Sequence, residues 1–325
     1  MSAASPHMLT CAKDDEYVPT PGGRSIGKYQ NAAYYREGLF SVIYRAPALE
    51  DDSYFPPESS CKTRLVALKV TTPSVMEPPH DSQREATILR RTASTHVIPL
   101  LDTFRENGSH FILVFPFMRY DLGTFLRKKG VSRAQGKSFL RDLFSGLNAI
   151  HARGVIHRDI KPANILLKSI HGPAYLSDFG VSWAPNVPGS EPSDQKTTDV
   201  GTTCYRPPEL LFGNKQYGCS LDLWAAGCTV AEVLDPAHNT LFDPGELGSD
   251  LALIQSMFKK LGTPNLEVWP VCLTLLVRAF TALKDARKQP AFPTGAKCSS
   301  MSIPGKNGRR YSRISMMSAE TWSQT

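Results

Sequence analysis

The chain has 325 residues, of which 41% are hydrophobic and 21% charged, so it can bury a large core and is not a disordered chain. Its length corresponds to about two domain-sized units. The formal charge is +7, but residues 271–325 hold nine basic and two acidic residues, whereas residues 1–270 hold 28 of each sign. The basic excess is confined to the C-terminal tail. This distribution excludes a uniformly basic nucleic-acid-binding surface.

Several protein classes are disfavoured by what the sequence lacks. Its longest uncharged apolar stretch, residues 268–277, is half the ~20 residues that a membrane-spanning helix needs. The N-terminus lacks the charged start and apolar block of a secretory signal. Seven cysteines are scattered without C-x-x-C spacing, so neither a zinc ribbon nor a disulfide framework is predicted. We expect a reduced, intracellular, soluble protein.

The predicted elements change from strands to helices along the chain. Residues 1–28 are polar with several Pro and Gly, which predicts a flexible N-terminal extension, and the proline-rich residues 47–63 are typical of a surface insertion. Alternation and short apolar runs predict strands at 34–46, 65–70 and 110–118. Helical spacing of apolar residues predicts helices at 82–91, 122–129 and 138–154. Strands followed by helices indicate an α+β protein.

Two motifs carry the chemistry, IHRDIKPANILL at 156–167 and LSDFG at 176–180. Phosphoryl transfer needs a base for the acceptor hydroxyl, divalent metal on the phosphates, and fixed positions for both. Asp159 can serve as that base, and Lys161 can neutralise charge on the transferred group. Asn164 and Asp178 offer oxygen ligands that suit Mg²⁺. Any one of these residues alone is commonly a surface charge or a helix cap, but the ordered set predicts an active site.

These motifs resemble those of eukaryotic protein kinases, and the D-I-K-P-A-N form is that of the Ser/Thr enzymes. The resemblance implies a two-lobed α+β fold that uses ATP and Mg²⁺. It has a small β-rich N-lobe at 29–118 and a helical C-lobe at 119–270, which is incomplete because the pattern stops after residue 270. By the resemblance, Lys69 of V-A-L-K contacts the nucleotide phosphates and pairs with Glu85. The remaining nucleotide contacts implied are Gly38, the gatekeeper Phe115, the hinge residue Met118, and Leu166.

A narrower resemblance lies in L-G-T-P followed by W-P within 250–270, in PHDSQRE at 79–85, and in Tyr-Arg before P-P-E at 207–209. These features are similar to those of cyclin-dependent kinases, and the stretch around 199–213 resembles fungal kinases that activate them. The implied partner is a protein substrate, with another kinase as one candidate, and the need for a cyclin stays open. In L-D-L-W-A-A-G, Asp222 is expected to brace the catalytic loop.

The sequence departs from the kinase pattern at two places in the core. The glycine-rich loop keeps only Gly38, with Arg36 and Ser41 where the other glycines belong, so weaker ATP binding is expected. The predicted activation-loop phosphosites are Thr197 and Thr198. Arg158 and Arg84 are available as phosphate ligands, but the third basic position is Trp183, so activity with or without phosphorylation is open.

Beyond residue 270 the kinase pattern is lost. We expect residues 271–325 to be a basic tail that is disordered or aberrant, arising from a shifted frame, a retained intron or a divergent isoform. Two rivals to the enzyme hypothesis remain: a pseudokinase or binding scaffold, and a nucleic-acid binder acting through the tail. No aromatic-interleaved basic motif supports a specific nucleic-acid site, and no membrane partner is predicted. The expected location is the cytoplasm, the nucleus or both.

Overall fold

The computed structural model describes residues 23–49 and 64–263, which all belong to one compact unit. Predictions for residues 1–22, for most of the 47–63 insertion, and for the 271–325 tail with its boundary at 270 lie outside the described residues. In the described part of the chain, no helix has the length and apolarity to cross a membrane.

The N-terminal part of the described chain is a six-stranded antiparallel sheet in the order β1-β2-β3-β4-β6-β5. Its strands are β1 (Arg24–Ile26), β2 (Tyr29–Glu37), β3 (Ser41–Pro47), β4 (Leu65–Thr71), β5 (Asp102–Glu106) and β6 (His110–Pro116). The sheet begins earlier than the sequence indicated, because Ile26 is buried and joins the core of one face. Residues 24–26 therefore form a strand of the sheet, and residues 27–28 form its turn to β2 and are not part of a flexible extension.

The central strand β4 gives the sheet two different faces. Val66 and Leu68 are fully buried in the apolar cluster of the outer face. The alternate residues Ala67 and Lys69 face the opposite side, as the two-residue period of a strand requires. In the register with β6, Ala67 lies opposite Phe115, so this inner face carries both the predicted lysine and the predicted gatekeeper.

A single helix, α1 (Ser82–Arg91), packs against the inner face of the sheet. Asp81 caps it, accepting hydrogen bonds from the backbone N–H groups of Gln83 and Arg84 at 2.9 Å. Its buried residues include Ala86, Ile88 and Leu89, the apolar set that predicted the helix. The same packing holds Glu85 only 1% exposed, pointing toward β4.

The second part of the described chain is mainly helical and contains a small three-stranded sheet. Its helices are α2 (Leu122–Lys129), α3 (Arg133–His151), α4 (Pro208–Leu211), α5 (Ser220–Leu234) and α6 (Asp250–Leu261). Its strands are β7 (Tyr120–Asp121), β8 (Ile165–Leu167) and β9 (Ala174–Leu176). This arrangement of a sheet-rich and a helical part confirms the predicted two-lobed α+β fold.

The long helix α3 is the spine of the helical part. A capping box starts it, in which Ser132 accepts from the Gln135 N–H and the Gln135 side chain accepts from the Ser132 N–H. The predicted stripe is buried: Phe139, Leu140, Leu143, Leu147 and Ile150. This stripe supports β8 and β9, which flank the two chemistry-bearing loops.

Candidate active site

A cavity of about 330 Å³ lies between the sheet and the helical part. Most residues that the motifs singled out line it, from six separated stretches of sequence: Gly38, Lys69, Glu85, Phe115, Met118, Lys161, Asn164, Leu166 and Asp178. Asp159 instead lines a neighbouring cavity of about 340 Å³, with Gly201, Thr202 and Arg206 of the segment before α4. The catalytic loop contributes to both cavities, with Lys161 and Asn164 lining the first and Asp159 lining the second.

One end of the first cavity is apolar and fits a flat heteroaromatic ring. Ile43 and Ala67 come from the sheet and Leu166 from β8, so apolar side chains bound the space from both lobes. Phe115 and Met118 are nearly buried at its back and edge. The connecting segment is fixed because the Phe117 N–H donates to the Leu65 carbonyl at 3.0 Å. This end has the shape and polarity expected for adenine.

The reduced glycine loop still forms a tight hairpin over the cavity. Gly38 donates its N–H to the Ser41 carbonyl at 2.8 Å, between strands β2 and β3. Arg36 and Ser41, which replace the missing glycines, both line the cavity. The loop is therefore present, but side chains occupy the space that glycine leaves for phosphate oxygens.

Lys69 is the electrostatic centre of the cleft. Its Nζ lies 2.8 Å from both carboxylate oxygens of Glu85 and 2.9 Å from Oδ1 of Asp178. Burial opposes the charged form, yet the Asp178 and Glu85 carboxylates together raise the pKa of Lys69 above its usual range. The same ammonium group lowers the pKa of Asp178 well below that of an ordinary carboxyl. Lys69 and Asp178 are therefore both charged at neutral pH and positioned for a phosphate chain and its metal.

The catalytic loop holds Asp159 from both sides. Oδ2 of Asp159 accepts from Asn164 Nδ2 at 3.0 Å and lies 2.9 Å from Lys161 Nζ. Oδ1 accepts from the backbone N–H of Thr202 at 3.0 Å and from its hydroxyl at 2.8 Å. Lys161 also donates to the Thr202 hydroxyl at 2.7 Å. A carboxylate, an ammonium group and a hydroxyl thus converge where an acceptor alcohol would meet a phosphoryl group.

Thr202 is a site residue that motif reasoning missed. As a motif, G-T-T-C-Y-R-P-P-E indicates only the end of the activation segment, the stretch from Asp178 to α4. The usable signal was the hydroxyl residue three positions before Tyr205, because a hydroxyl there can join the Asp–Lys pair.

Asp222 braces the catalytic loop from α5, as the D-x-W-x-x-G motif predicted. Its fully buried carboxylate accepts from the backbone N–H groups of His157 at 2.8 Å and Arg158 at 2.9 Å. His151 Nε2 lies 2.8 Å from the same carboxylate. A carboxylate shared by three donors fixes the backbone immediately before Asp159.

Two oxygen ligands in the cleft fit a hard divalent cation. Asn164 uses its Nδ2 toward Asp159, which leaves the amide oxygen as the ligand atom, and Asp178 supplies a carboxylate. Within residues 23–49 and 64–263, no cluster of three or more His, Cys, Asp or Glu side chains could hold an ion alone. Mg²⁺ is commonly bound by one or two protein oxygen ligands together with substrate phosphates, and Asn164 and Asp178 fit that chemistry.

The two predicted phosphosites lie away from the ATP cleft, in the segment between Asp178 and α4. Thr197 and Thr198 are both partly buried. The guanidinium of Arg158, their expected ligand, instead donates from Nη1 to both carboxylate oxygens of Glu191, at 3.1 and 3.2 Å, and to the Val181 carbonyl at 3.4 Å. The structure thus brings the predicted arginine to this segment but pairs it with a carboxylate.

Comparison with known proteins agrees with the resemblance to protein kinases. The family model described as protein kinase domain matches residues 59–270. The serine/threonine-protein kinase csk1 of Schizosaccharomyces pombe is 34% identical over 66% of this chain and 70% of its own length. Human cyclin-dependent kinase 20 is 33% identical over 72% of this chain and 63% of its own. Xenopus laevis cyclin-dependent kinase 7 is 33% identical over 75% and 65%.

The chain spans about two thirds of the length of these relatives. The family match covers well over half of the chain, and it includes every motif from V-A-L-K to W-P. The chain belongs to the protein kinase family, among the cyclin-dependent-kinase-like serine/threonine kinases.

Proposed function

We propose that the chain transfers the γ-phosphate of ATP to serine or threonine hydroxyls of protein substrates. Lys69 would hold the nucleotide phosphates, and Asn164 and Asp178 would hold Mg²⁺, which would neutralise charge on the phosphates. Asp159 orients the acceptor hydroxyl and takes up its proton as the hydroxyl oxygen bonds in line to the γ-phosphorus and the bond from that phosphorus to the leaving ADP breaks. Lys161 stabilises the negative charge of the transferred group.

The observation that carries this proposal is the joint geometry of Lys69 and Asp159. Lys69 is ion-paired with Glu85 at 2.8 Å, so the sheet and α1 are already in the arrangement that phosphate binding needs. Asp159 is simultaneously held by Asn164, Lys161 and Thr202. A protein that had lost catalysis would have no need to keep both networks complete.

The decisive experiment compares the full chain with Asp159→Asn in Mg²⁺-ATP and a protein substrate of cyclin-dependent kinases. The substitution preserves shape but removes the base, and loss of a general base lowers turnover by about 10²–10⁴-fold. The matched control is Asp194→Asn, which removes an exposed carboxylate from the activation segment and should retain full activity. Equal phosphorylation by wild type and Asp159→Asn would refute the enzymatic assignment.

For the substrate, we propose the activation segment of another kinase. The support is the resemblance of residues 199–213 to fungal kinases that activate cyclin-dependent kinases. Incubation with a catalytically inactive cyclin-dependent kinase, followed by mass spectrometry, should detect phosphothreonine in its activation segment. The cytoplasm, the nucleus or both would be the site of this activity.

A cyclin is a second candidate partner, since relatives named cyclin-dependent kinases are similar over most of the matched chain. The ion pair between Lys69 and Glu85 is already formed in the chain alone, which favours activity without one. Stimulation of the purified chain by added cyclin would reverse this preference.

The scaffold alternative is favoured by one observation, the side chains of Arg36 and Ser41 in the nucleotide cavity. A scaffold of this kind would bind its partner with Asp159→Asn as well as with wild type, and would turn over no ATP. The same activity assay therefore separates the two functions.

A further inference from the structure

We propose that the carboxylate of Glu191 replaces an activating phosphate. In this proposal, which rests on the proposed kinase function, Glu191 binds Arg158 and keeps the catalytic loop ordered without phosphorylation of Thr197 or Thr198. Glu191 is a positioning residue, because it acts on Asp159 through Arg158 and touches neither nucleotide nor acceptor.

The contact between Glu191 and Arg158 is direct and shielded. Nη1 of Arg158 lies 3.1 Å from Oε1 and 3.2 Å from Oε2 of Glu191. The Arg158 side chain is completely buried and that of Glu191 is 23% exposed. A charged hydrogen bond in such a setting is stronger than a surface ion pair, and removing one partner leaves a buried charge uncompensated.

Glu191 is itself held in place by the activation segment. Its backbone carbonyl accepts from Trp183 Nε1 at 2.9 Å, and its Oε1 accepts from the Thr197 N–H at 3.4 Å. Trp183 stands at the position where a third basic ligand was expected. The indole therefore does not bind a phosphate but orients the glutamate that meets Arg158.

The surroundings of Glu191 favour an anion. Lys196, 4% exposed, places its Nζ 4.8 Å from the Trp183 ring centroid and 5.2 Å from that of Tyr217. Arg84 is also buried and donates to the Gly189 carbonyl. Among the described residues, Nε of Arg84 and both Nε and Nη2 of Arg158 are buried without a hydrogen-bond partner.

Burial alone would raise the pKa of Glu191, but the Arg158 guanidinium and hydrogen bonds lower it, so the carboxylate is charged at neutral pH.

Arg158 connects this cluster to the catalytic base. It is the residue before Asp159, its backbone has a left-handed φ of 73°, and its N–H donates to Asp222 at 2.9 Å. A strained backbone keeps its conformation only when its surroundings over-determine it. Asp222 holds the main chain of Arg158 and Glu191 holds its side chain, so both are needed to fix Asp159.

The same geometry makes phosphorylation of Thr197 unnecessary. Its N–H is already bonded to Glu191, and its hydroxyl oxygen accepts from the Asp199 N–H at 3.3 Å. A phosphate on this threonine would add about two negative charges beside the Glu191 carboxylate and compete for Arg158. The segment is therefore ordered by its own glutamate.

The test compares the purified full chain with Glu191→Gln, Glu191→Asp and the double variant Thr197→Ala/Thr198→Ala. Loss of a buried charged hydrogen bond predicts a fall in kcat of at least about tenfold for Glu191→Gln, with an unchanged KM for ATP. Glu191→Asp keeps the charge and should recover part of the loss. The double alanine variant should keep wild-type activity, as should the charge-matched control Asp194→Asn.

Hydrogen exchange supplies a readout that does not depend on activity. Glu191→Gln should speed exchange of the backbone amides between residues 186 and 206, and Asp194→Asn should not. Wild-type exchange rates in Glu191→Gln would overturn the proposal, as would loss of activity in the double alanine variant. An inactive wild-type chain would instead refute the kinase function, and the exchange experiment would still decide whether Glu191 orders the segment.

Discussion

Two residues of the active site have backbone conformations that side chains ordinarily avoid. Arg158 has a φ of 73° and Asp178 a φ of 63°. Each such non-glycine conformation costs roughly 1–3 kcal/mol and must be held by its surroundings. Asp222 holds Arg158 through its backbone N–H, and Lys69 binds the Asp178 carboxylate. The strain lies on either side of the reacting centre, where position matters most.

A glycine beside the same loop gives the first residue-scale prediction. Gly201 has a φ of 78°, and a Cβ added there would lie 2.9 Å from the Arg158 carbonyl oxygen. Its neighbour Thr202 donates two hydrogen bonds to Asp159. Gly201→Ala should therefore lower both the free energy of unfolding and kcat. Urea denaturation and the phosphorylation assay measure the two effects.

Gly213 is the matched control for Gly201. Its φ of 75° imposes the same backbone penalty, but no heavy atom lies within 4 Å of an added Cβ. Gly213→Ala should lower the free energy of unfolding by about 1–2 kcal/mol, the cost of a left-handed backbone for alanine, and should leave kcat unchanged. Equal losses of stability in the two variants would show that the contact with Arg158 is unimportant.

For single residues, the spacing within motifs decided which site residues could be predicted from the sequence. Lys69, Glu85, Asn164 and Asp178 stand at motif positions, and the fold brings them to one cavity. Glu191 was not predicted, because it lies in a loop whose length no motif fixes, and a glutamate in a loop is ordinarily a solvated charge. Only the fold shows that it faces a buried arginine.

At the scale of elements, the strands and helices with strong periodicity were predicted and those with mixed patterns were not. The helix α1 was predicted with the bounds found, because its apolar spacing coincides with a cap at Asp81. The edge strand β5 (Asp102–Glu106) was missed, since DTFRE carries three charges in five residues. It is a strand because β6 provides a complete hydrogen-bonding partner along its edge.

The segment just before α1 also contacts the glycine loop. The ring of His80 lies 4.8 Å from that of Phe40, the residue at the tip of the hairpin. Burial lowers the pKa of His80 below the usual 6.5, as do the charges of Lys69 and Arg84, while Asp178 and Asp159 oppose the shift. His80 is therefore harder to protonate in the folded chain than in the unfolded chain.

This linkage predicts a pH-dependent stability. As the pH falls below about 6.5, the unfolded state binds a proton that the native His80 does not, so the free energy of unfolding decreases. The decrease continues until the pH reaches the lowered pKa of the folded state. His80→Phe keeps the ring contact without the proton, so its melting temperature should fall less between pH 7.5 and pH 5.5 than that of wild type.

The exposed His171 provides the control, because His171→Phe removes a histidine away from the cleft. It should show the wild-type dependence on pH. If His80→Phe and wild type lose the same stability over this range, His80 does not carry the effect.

At the scale of the whole molecule, charge is distributed unevenly along the chain. Residues 1–270 carry equal numbers of acidic and basic side chains, and the net +7 comes from residues 271–325. Binding of a polyphosphate in the cleft therefore depends on local placement, with Lys69 and Lys161 facing Asp178 and Asp159, and not on a general positive potential. We expect nucleotide binding to depend on the metal ion, because residues 1–270 have no net charge and attract a polyphosphate only weakly at long range.

That dependence gives a prediction for the stability of the whole chain. A ligand that binds only the native state adds about 2.7 kcal/mol at a hundredfold excess over its Kd, which raises the Tm of a folded unit of about 150–250 residues by about 5–10 °C. Mg²⁺-ATP should produce such a shift in wild type, and EDTA should remove most of it. Asp178→Asn, which lacks the carboxylate ligand, should give the same small shift with and without Mg²⁺. A shift that is equally large with EDTA, or one that Asp178→Asn retains in full, would place the metal elsewhere than on Asn164 and Asp178.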